Sequence, residues 1–390
     1  MISVEEARAL LFDLVSPLPS EHIPLAEASG RVLSEDMTAT RDQPPFAASS
    51  MDGYALKSTE AELHAMFEVI GESAAGRRFD GVVGPGQAVR IFTGAPVPEG
   101  ADFILIQEDA ERRESLITIT QDPGTKTNIR PAGIDFTQGT KIVAPSVLRP
   151  EDIALMAAMN IPTVPVTRKP VIALISTGDE LVMPGETPGP DQIIASNTFG
   201  LKALLENAGA HVRILPIARD TVASLETAFG LADGADLVVT IGGASVGEYD
   251  LVAEVSQTLG MERSFYKIRM RPGKPLMAGR LGNTAMVGLP GNPVSAMVCG
   301  YLFLLPMLRR MLGIEQVLTP FQSARLAEPI GKNGPREHYM RAVLGADGIR
   351  ACADQDSSLL SVLAQANALL VREPHDHARP VGDEVRYLPL

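Results

Sequence analysis

The chain has few cysteines, a minority of basic residues and no long apolar run, and each shortage removes a class of protein. Two cysteines in 390 residues, Cys299 and Cys352, exclude a disulfide framework and a cysteine-built metal site. Both are expected as buried apolar fillers. Lysine and arginine number 34 against 47 acidic residues, a formal net charge of −13. A nucleic-acid binder needs a basic surface, so that class is excluded. A small anionic ligand is not, because a local cluster such as Arg269, Arg271 and Lys274 can sit on an acidic body. No apolar run reaches the roughly 18–20 residues that span a bilayer. The start, MISVEEARALLFDLV, is acidic and amphipathic, unlike a secretory signal. These features make a cytoplasmic location, without membrane or nucleic-acid partners, the expectation. The six histidines are scattered. His375 and His377 lie in a polar loop near the end and read as solvated, with no partner motif for a metal. Tandem repeats and low-complexity tracts are absent.

At 390 residues with 45% hydrophobic content, two to four globular domains are expected. Residues 2–15 read as a helix, with Ser3 and Glu6 as a capping box and Ala7, Leu10, Leu11 and Leu14 as its apolar stripe. From 24 to 141, short alternating runs (Ala88–Phe92, Phe103–Gln107, Leu116–Thr120) broken by Gly and Pro suggest a β-rich domain. RPEDIALMAAMN (149–160) is helical again. Packing of this helix on the first would make the β-rich part an insertion into a helical linker domain of residues 1–23 and 142–168.

From 169 to 315 the pattern alternates. Strands are expected at Val171–Ser176, Val212–Ile217, Leu237–Ile241, Phe265–Met270 and Ala285–Gly288. Helices are expected at Asn197–Ala208, Val222–Leu231, Leu251–Leu259 and Pro293–Leu312. This spacing implies a doubly wound, mostly parallel sheet covered on both faces, with its ligand at the carboxyl ends of the strands. Residues 316–390 return to short strands (Phe321–Ala327, His338–Leu344, Ala368–Val371, Val385–Tyr387), read as a small C-terminal β-barrel. The fold class is therefore α/β plus β, multidomain.

Five segments rich in Gly, Pro and charge punctuate this pattern: PPFAASSMDGYA (44–55), STGDEL (176–181), GGASVGEYD (242–250), RMRPGKPLMAG (269–279) and GLPGNPVS (288–295). Several end a strand and open a helix, where backbone amides gather around phosphate. In GGASVGEYD, Gly242 and Gly243 allow close backbone approach and Ser245 adds a hydroxyl. Asp250 either caps the next helix or binds a metal. In GLPGNPVS, Asn292 suits an N-cap and Pro293 the first helical position, with Ser295 able to contribute a hydroxyl. Arg271 and Lys274 flank a Pro-Gly turn, with Lys267 four residues before Arg271; rigidly held cations neutralise an anion. In STGDEL, Asp179 and Glu180 can hold Mg²⁺, which takes carboxylates plus phosphate oxygens, or Asp179 can cap a helix. Asp52 before a glycine fits a turn as well as a ligand, and Arg130 and Asp135 recur in NIRPAGID (128–135). The loops are neither GxGxxG nor a Walker P-loop, and GxSxG, HExxH and Cys–His signatures are absent. Dinucleotide binding, simple nucleoside triphosphatase chemistry and Ser or Cys nucleophilic hydrolysis lose support.

In order, PPFAASSMDGYA, FTGAPVPEGADFILIQED (92–109), NIRPAGIDFTQG, ISTGDEL, GGASVGEYD, RPGKPLMAG, GLPGNPVS and SSLLSVLAQANALLV (357–371) resemble the MoeA family of molybdopterin molybdenumtransferases and the E domain of gephyrin. The resemblance runs through nearly the whole chain. It implies insertion of molybdate into adenylylated molybdopterin, with Mg²⁺ involved and AMP released. It also implies a homodimer, in which the β-rich part reaches toward the partner's α/β domain, and contact with cofactor-biosynthesis proteins. Asp52, Thr93, Asp135, Glu180, Asp220, Asp250, Lys267, Arg271, Lys274, Pro290, Pro293, Arg341 and Ser361 match the family's functional positions. Glu180 and Asp250 are implied at Mg²⁺ and the pterin, and Arg341 and Ser361 at molybdate. Ser176, Thr177, Gly178, Asp179, Gly242, Gly243, Ser245, Gly247, Gly291, Asn292 and Ser295 complete the expected cofactor-binding set.

Two positions depart from the pattern. Ala195 stands before Ser196-Asn197 where the family often has Asp, removing one carboxylate. Arg271 stands where Lys is common, and its planar fork binds oxyanions differently from a point charge. Two other readings compete: a CinA-like enzyme acting on nucleotide derivatives, and a non-catalytic scaffold. The MDGYA segment and the SSLLSVLAQAN tail speak against the first. Retention of Asp52, Glu180 and Asp250 speaks against the second.

Overall fold

The computed structural model describes residues 1–243 and 251–390. Its first helix spans Val4–Phe12, and its capping box forms: the Glu6 amide donates to Ser3 Oγ, and the Ser3 amide donates to the Glu6 carboxylate. Val4, Ala7 and Leu11 bury against the α/β core, together with Leu201, Leu205, Met307 and Leu308. The helix Pro150–Ala158 belongs to a different core, with Met156 packed among Leu25, Ala28, Leu33, Val164 and Val166. The expected pairing of these two helices is thus corrected. An amphipathic stripe shows that a face is buried but not what buries it. The segment around 142–168 is also not purely helical. TVPVT forms the strand Thr163–Thr167, as β-branched residues favour. It pairs antiparallel with Ser20–Pro24 and Val32–Leu33, and Ser146–Val147 completes that sheet.

The β-rich part is a six-stranded sheet in the order Phe103–Ile106, Gly53–Leu56, Gln87–Ile91, Met66–Ser73, Leu116–Ile119, Ala110–Arg113. Alternating residues feed two cores: Tyr54, Leu56 and Leu105 on one face, Ala55, Ile91 and Ile104 on the other. A side chain at Gly53 would put Cβ 1.8 Å from the Leu105 carbonyl oxygen. Glycine there lets the neighbouring strand close in directly after Asp52.

The α/β sheet runs His211–Ile214, Val171–Ser176, Leu237–Ile241, Thr284–Leu289, Met277–Leu281, Met261–Phe265. The first four strands are parallel, and Met277–Leu281 runs antiparallel to both of its neighbours. Asn197–Asn207 and the helix from Pro293 cover one face, Val222–Leu231 and Leu251–Thr258 the other. The expected strand Phe265–Met270 is corrected. Pairing covers Met261–Phe265, with a register shift between Arg263 and Phe265, and Met270–Arg271 joins the C-terminal sheet beside Glu337–Gly345. Cys299 is fully buried as expected, but Cys352 is only half-buried.

Pro293–Met311 is 19 residues long and apolar enough to cross a membrane by length and composition, contrary to the sequence reading, yet 78% of its apolar window is buried inside the protein. It is a core helix, with a π-helical turn at Gly300–Leu304. A Cβ on Gly300 would lie 2.7 Å from Leu201 Cδ2, so glycine sets the close approach of the two helices. In the C-terminal part, Glu337–Gly345, Ala368–Arg372, Glu384–Pro389 and Gln322–Arg325 pair in that order, Gly348–Ala351 pairs with Glu337–Gly345, and a bridge between Leu326 and Ile349 links the ends. Leu369 and Val371 pack into the main core while Ala368 and Leu370 pack into the C-terminal one. Shared burial therefore seats this part beside the strand ends of the α/β sheet.

Candidate functional site

Three loops meet at the carboxyl ends of adjacent parallel strands. The Thr177 amide donates to the Ile241 carbonyl (3.0 Å), and the Gly242 amide to the Leu289 carbonyl (3.1 Å). The loops lie so close that Gly242, at φ +98°, has room for no side chain: a Cβ would sit 2.6 Å from the Thr177 oxygen. Gly243, at φ +66°, would meet Val252 Cγ2 at 2.3 Å. A Gly291 Cβ would lie 3.5 Å from Gly242 Cα. Ser176 and Thr177 are buried, and among the described residues the buried Thr177 and Thr240 hydroxyls have no hydrogen-bond partner. Gly242→Ala is expected to destabilise the protein by about 1–3 kcal/mol, the cost of forced backbone strain, and to weaken anion binding; urea denaturation and an inorganic-phosphate binding isotherm measure both. Ser245, Gly247 and Asp250 lie outside the described residues.

The acidic flank follows the first two strands of this row. STGDEL leads into the short strand Leu181–Val182, not a helix, so Asp179 caps no helix. Its Oδ1 instead accepts the Asp220 amide at 3.2 Å. The Glu180 carboxylate folds back over Gly178: a Cβ there, at φ +146°, would lie 2.3 Å from Glu180 Oε2. Arg219 Nη1 donates to the Asp179 and Leu181 carbonyls (3.0 and 3.1 Å) and fixes the turn. Burial, then the charges of Asp179 and Glu180, push the Asp220 carboxyl above the usual range. Negative charge accumulates here beyond what Arg219 offsets. This suits Mg²⁺, which takes one or two carboxylates plus phosphate oxygens. Among the described residues no group of three or more Asp, Glu, His or Cys is placed to hold a metal ion.

At the other end of the row, Asn197 Nδ2 donates to the Gly291 carbonyl at 2.7 Å. Asn292 precedes the helix, with Pro293 in its first turn, but its side chain does not cap; Nδ2 donates to Ser357 Oγ at 2.9 Å. The Val294 amide donates to the Ser357 carbonyl at 3.1 Å. The C-terminal part is thereby tied to the Pro290–Gly291 loop. Ser295 is buried in this helix. Arg341 is 1% exposed, and its guanidinium donates to Gln355 Oε1 and to the Asp354 and Asp356 carbonyls. It therefore braces the 354–356 loop. Ser361 is exposed on the helix Leu360–Gln365.

Of the expected cations, Arg271 is exposed and paired in register with His338, and Lys267 Nζ lies 4.8 Å from the Tyr266 ring centroid. The Ile268 and Leu276 amides both donate to the Lys274 carbonyl, which closes the turn between these cations. Burial, then Arg271, Arg341, Arg336 and Arg372, depress His338 to about 4. At neutral pH it is an uncharged residue inside a ring of positive charge.

Family models match in three consecutive blocks. Residues 2–160 match the MoeA N-terminal region (domain I and II), 173–310 a probable molybdopterin binding domain, and 323–390 the MoeA C-terminal region (domain IV). A molybdopterin molybdenumtransferase of Nostoc sp. is 34% identical, covering 100% of this chain and 94% of that protein. One from Haemophilus influenzae is 34% identical, covering 100% and 99%. The crystal structure of a molybdopterin biosynthesis MoeA protein from Pyrococcus horikoshii superposes with a TM-score of 0.86 at 28% identity, covering 100% of this chain and 99% of that one. The chain belongs to the molybdopterin molybdenumtransferase family. It is an enzyme of molybdenum cofactor biosynthesis.

Within this transferase, Asp52 and Thr93 come together in the β-rich part. Asp52 Oδ1 accepts the Thr93 amide at 2.8 Å and the Thr93 hydroxyl at 2.9 Å. These bonds, the amide first, hold the Asp52 carboxyl below its usual range. Asp135 sits in a separate turn, its amide on the Gln43 carbonyl. Among the described residues no hydrogen bond or ion pair joins Asp52, Thr93 or Asp135 to the α/β loops. Sequence reasoning missed Arg219, Asn197, Ser357 and His338. Asn197 and Ser357 lie inside quoted motifs, but only their long-range hydrogen bonds reveal what they do.

Proposed function

We propose that this transferase inserts molybdate into adenylylated molybdopterin and releases AMP. The observation that carries the reading is the row of glycine loops at Thr177, Gly242 and Gly291, flanked by Asp179, Glu180 and Asp220. Close-approaching backbone suits the phosphates, and the acids suit Mg²⁺. Glu180 and Asp250, with Asp220 beside Glu180, would hold Mg²⁺, which supplies charge neutralisation on phosphate oxygens when bound. Arg271, Lys274 and Lys267 would neutralise the anionic substrates, and Arg341 would position the loop that brings Ser357 and Ser361 toward molybdate. Breaking a phosphoanhydride needs charge neutralisation and positioning more than a protein nucleophile, and the sulfur ligands of the metal belong to the pterin. The loss of a carboxylate at Ala195 leaves the acids of the other flank in place.

The test is a single-turnover reaction with adenylylated molybdopterin, molybdate and Mg²⁺, reading AMP and metal-loaded pterin. Molybdate-dependent AMP release supports the reading. Pterin binding without AMP release at any molybdate or tungstate concentration turns it toward a scaffold.

The domain division of the sequence reading (24–141, 169–315 and 316–390) and a cytoplasmic homodimer belong to the same proposal. Asp52, Thr93 and Asp135 would then serve the partner's site. Mixed dimers of Asp52→Ala and Glu180→Ala chains are expected to regain about a quarter of wild-type activity, because half the dimers hold one intact site under two-fold symmetry. Activity that stays at the level of the separate variants removes the cross-subunit site.

A further inference from the structure

Asp52 is held from a second side by Arg90, two residues ahead of the FTGAPVPEG run. Arg90 lies in the strand Gln87–Ile91 and stands opposite Tyr54 in the antiparallel pair with Gly53–Leu56. Side chains alternate along a strand, so Asp52 and Tyr54 share a face with Arg90 and Phe92. The half-buried guanidinium lies 5.0 Å from the Tyr54 ring centroid and 4.9 Å from that of Phe92. Both are within the about 6 Å at which an aromatic face attracts a cation. The two terminal nitrogens are spent beside Asp52. Nη1 donates to the Gly53 carbonyl at 3.2 Å, and Nη2 to Gln107 Oε1 at 2.6 Å. The Gln107 backbone amide in turn donates to the Asp52 carbonyl at 3.0 Å. Its side-chain amide donates to Glu108 Oε1 at 3.1 Å, which turns the Gln107 oxygen toward Arg90. Thr93 occupies only Oδ1 of Asp52; among the described residues Oδ2 accepts no hydrogen bond. After the Thr93 amide and hydroxyl, Arg90 is the charge that acts on this carboxyl, in the same direction.

We propose that Arg90 is the positioning residue of Asp52. It ties down the peptide that follows Asp52 and the residue bonded to the Asp52 carbonyl, so that Thr93 takes Oδ1 and Oδ2 stays free for the reaction. This assignment rests on the transferase reading, in which Asp52 serves the chemistry, and adds a residue that reading does not use. Arginine suits the task and lysine does not. A planar fork reaches two acceptors while its face lies on aromatic rings, whereas an ammonium is a point charge. The competing account is a plain brace between strands, which predicts a loss that does not depend on Asp52.

The test is a double-mutant cycle on single-turnover AMP release with Arg90→Met, Asp52→Asn and the two combined. Methionine keeps an apolar stem against the rings and removes the fork. Arg90→Met alone should slow release by about tenfold, a size usual for coupled neighbours, and by less than about twofold once Asp52 is already Asn. Equal losses in both backgrounds overturn the proposal, because Arg90 then acts through the fold and not through Asp52. Gln107 is exposed, so Gln107→Ala should fold even where Arg90→Met does not. It removes one of the two acceptors and should show a smaller loss with the same dependence on Asp52. A second readout needs no turnover. The carboxyl carbon resonance of Asp52, assigned by its disappearance in Asp52→Asn, should titrate at higher pH in Arg90→Met than in wild type, since a favourable charge has gone. An unmoved titration overturns the proposal whether or not AMP is released. Wild-type AMP release alongside equal losses leaves the transferase reading standing without Arg90. A moved titration with no molybdate-dependent AMP release keeps the pairing of Arg90 with Asp52 and removes the transferase reading.

Discussion

Glu180→Gln should cut molybdate-dependent AMP release by on the order of 100-fold, the size of one lost electrostatic contact in a preorganised site, without costing the fold any stability. The side chain is exposed and folded over Gly178, with no ion-pair partner among the described residues. Glutamine keeps its volume and removes only its charge. That charge is one of two that, after burial, raise the Asp220 carboxyl. The sign follows from linkage. Because the folded-state value of Asp220 is raised, its contribution favours the fold below the ordinary aspartate range, near 3.9, and is lost as pH rises through the raised value. At neutral pH the wild type therefore carries a repulsion that Glu180→Gln relieves. Urea midpoints at neutral pH should be equal to wild type or slightly higher, while single-turnover AMP release collapses. Equal losses of stability and activity would make Glu180 a structural residue. The same variant should lower the pKa of Asp220, readable by carboxyl NMR.

This separation of function from stability explains which parts of the molecule were legible in sequence. Strands such as Val171–Ser176 and Leu237–Ile241 lie where their apolar runs predict, because a parallel strand buried on both faces is a continuous hydrophobic segment. The loops that follow them stand out through residues that are poor for local structure, namely glycines at positive φ and clustered acids. The partners of those loops were not legible. Asn292 has the residue type and position of a helix cap, yet its amide donates to Ser357, 65 residues away in the chain. A cap costs no loop closure and would win locally, but the C-terminal part is already seated by Tyr339, Leu369 and Leu388 in the main core. The long-range bond then comes without further ordering cost. Met270–Arg271 follows the same logic. The segment reads as the end of a strand in its own domain, but pairing with Met277–Leu281 stops at Phe265, Ile268 bridges Ile2, and Met270–Arg271 pairs beside Glu337–Gly345. In both places the local signal is sound and a tertiary contact overrides it.

The stability counterpart of Glu180 is Asp376, in a loop read from sequence only as a solvated stretch between two histidines. His377 is indeed 74% exposed, but Asp376 is 7% exposed and joins two cations. Its Oδ2 accepts from Arg372 Nε at 2.5 Å and from Arg379 Nε at 3.0 Å. Arg372, 2% exposed, also donates to the Gly331 and His377 carbonyls. Burial alone would raise the Asp376 carboxyl; hydrogen bonds from Arg379 and Arg372 outweigh it and hold the carboxyl low. A lowered folded-state value contributes stability that is present above the ordinary aspartate range and lost as pH falls through the lowered value. Asp376→Asn should therefore destabilise the protein by about 3–5 kcal/mol at neutral pH, because it leaves the Arg372 charge buried and unpaired. The gap from wild type should narrow in acid, where the wild-type carboxyl is itself protonated. Removing both charges, as Arg372→Met with Asp376→Leu, should cost less than Asp376→Asn alone, since a buried pair offsets its own desolvation only when complete. Arg372 is the cross-strand partner of His338, which in turn pairs with Arg271. Loss of the anchor should thus also disturb the edge at which Arg271 is presented. Asp376→Asn is expected to weaken molybdate binding only as far as it unfolds that edge, and stabilising osmolyte should restore it. Glu180→Gln should respond to no such rescue. A neutral effect of Asp376→Asn on urea midpoints would show that Arg372 finds other acceptors, and that the ion pair is incidental to the fold.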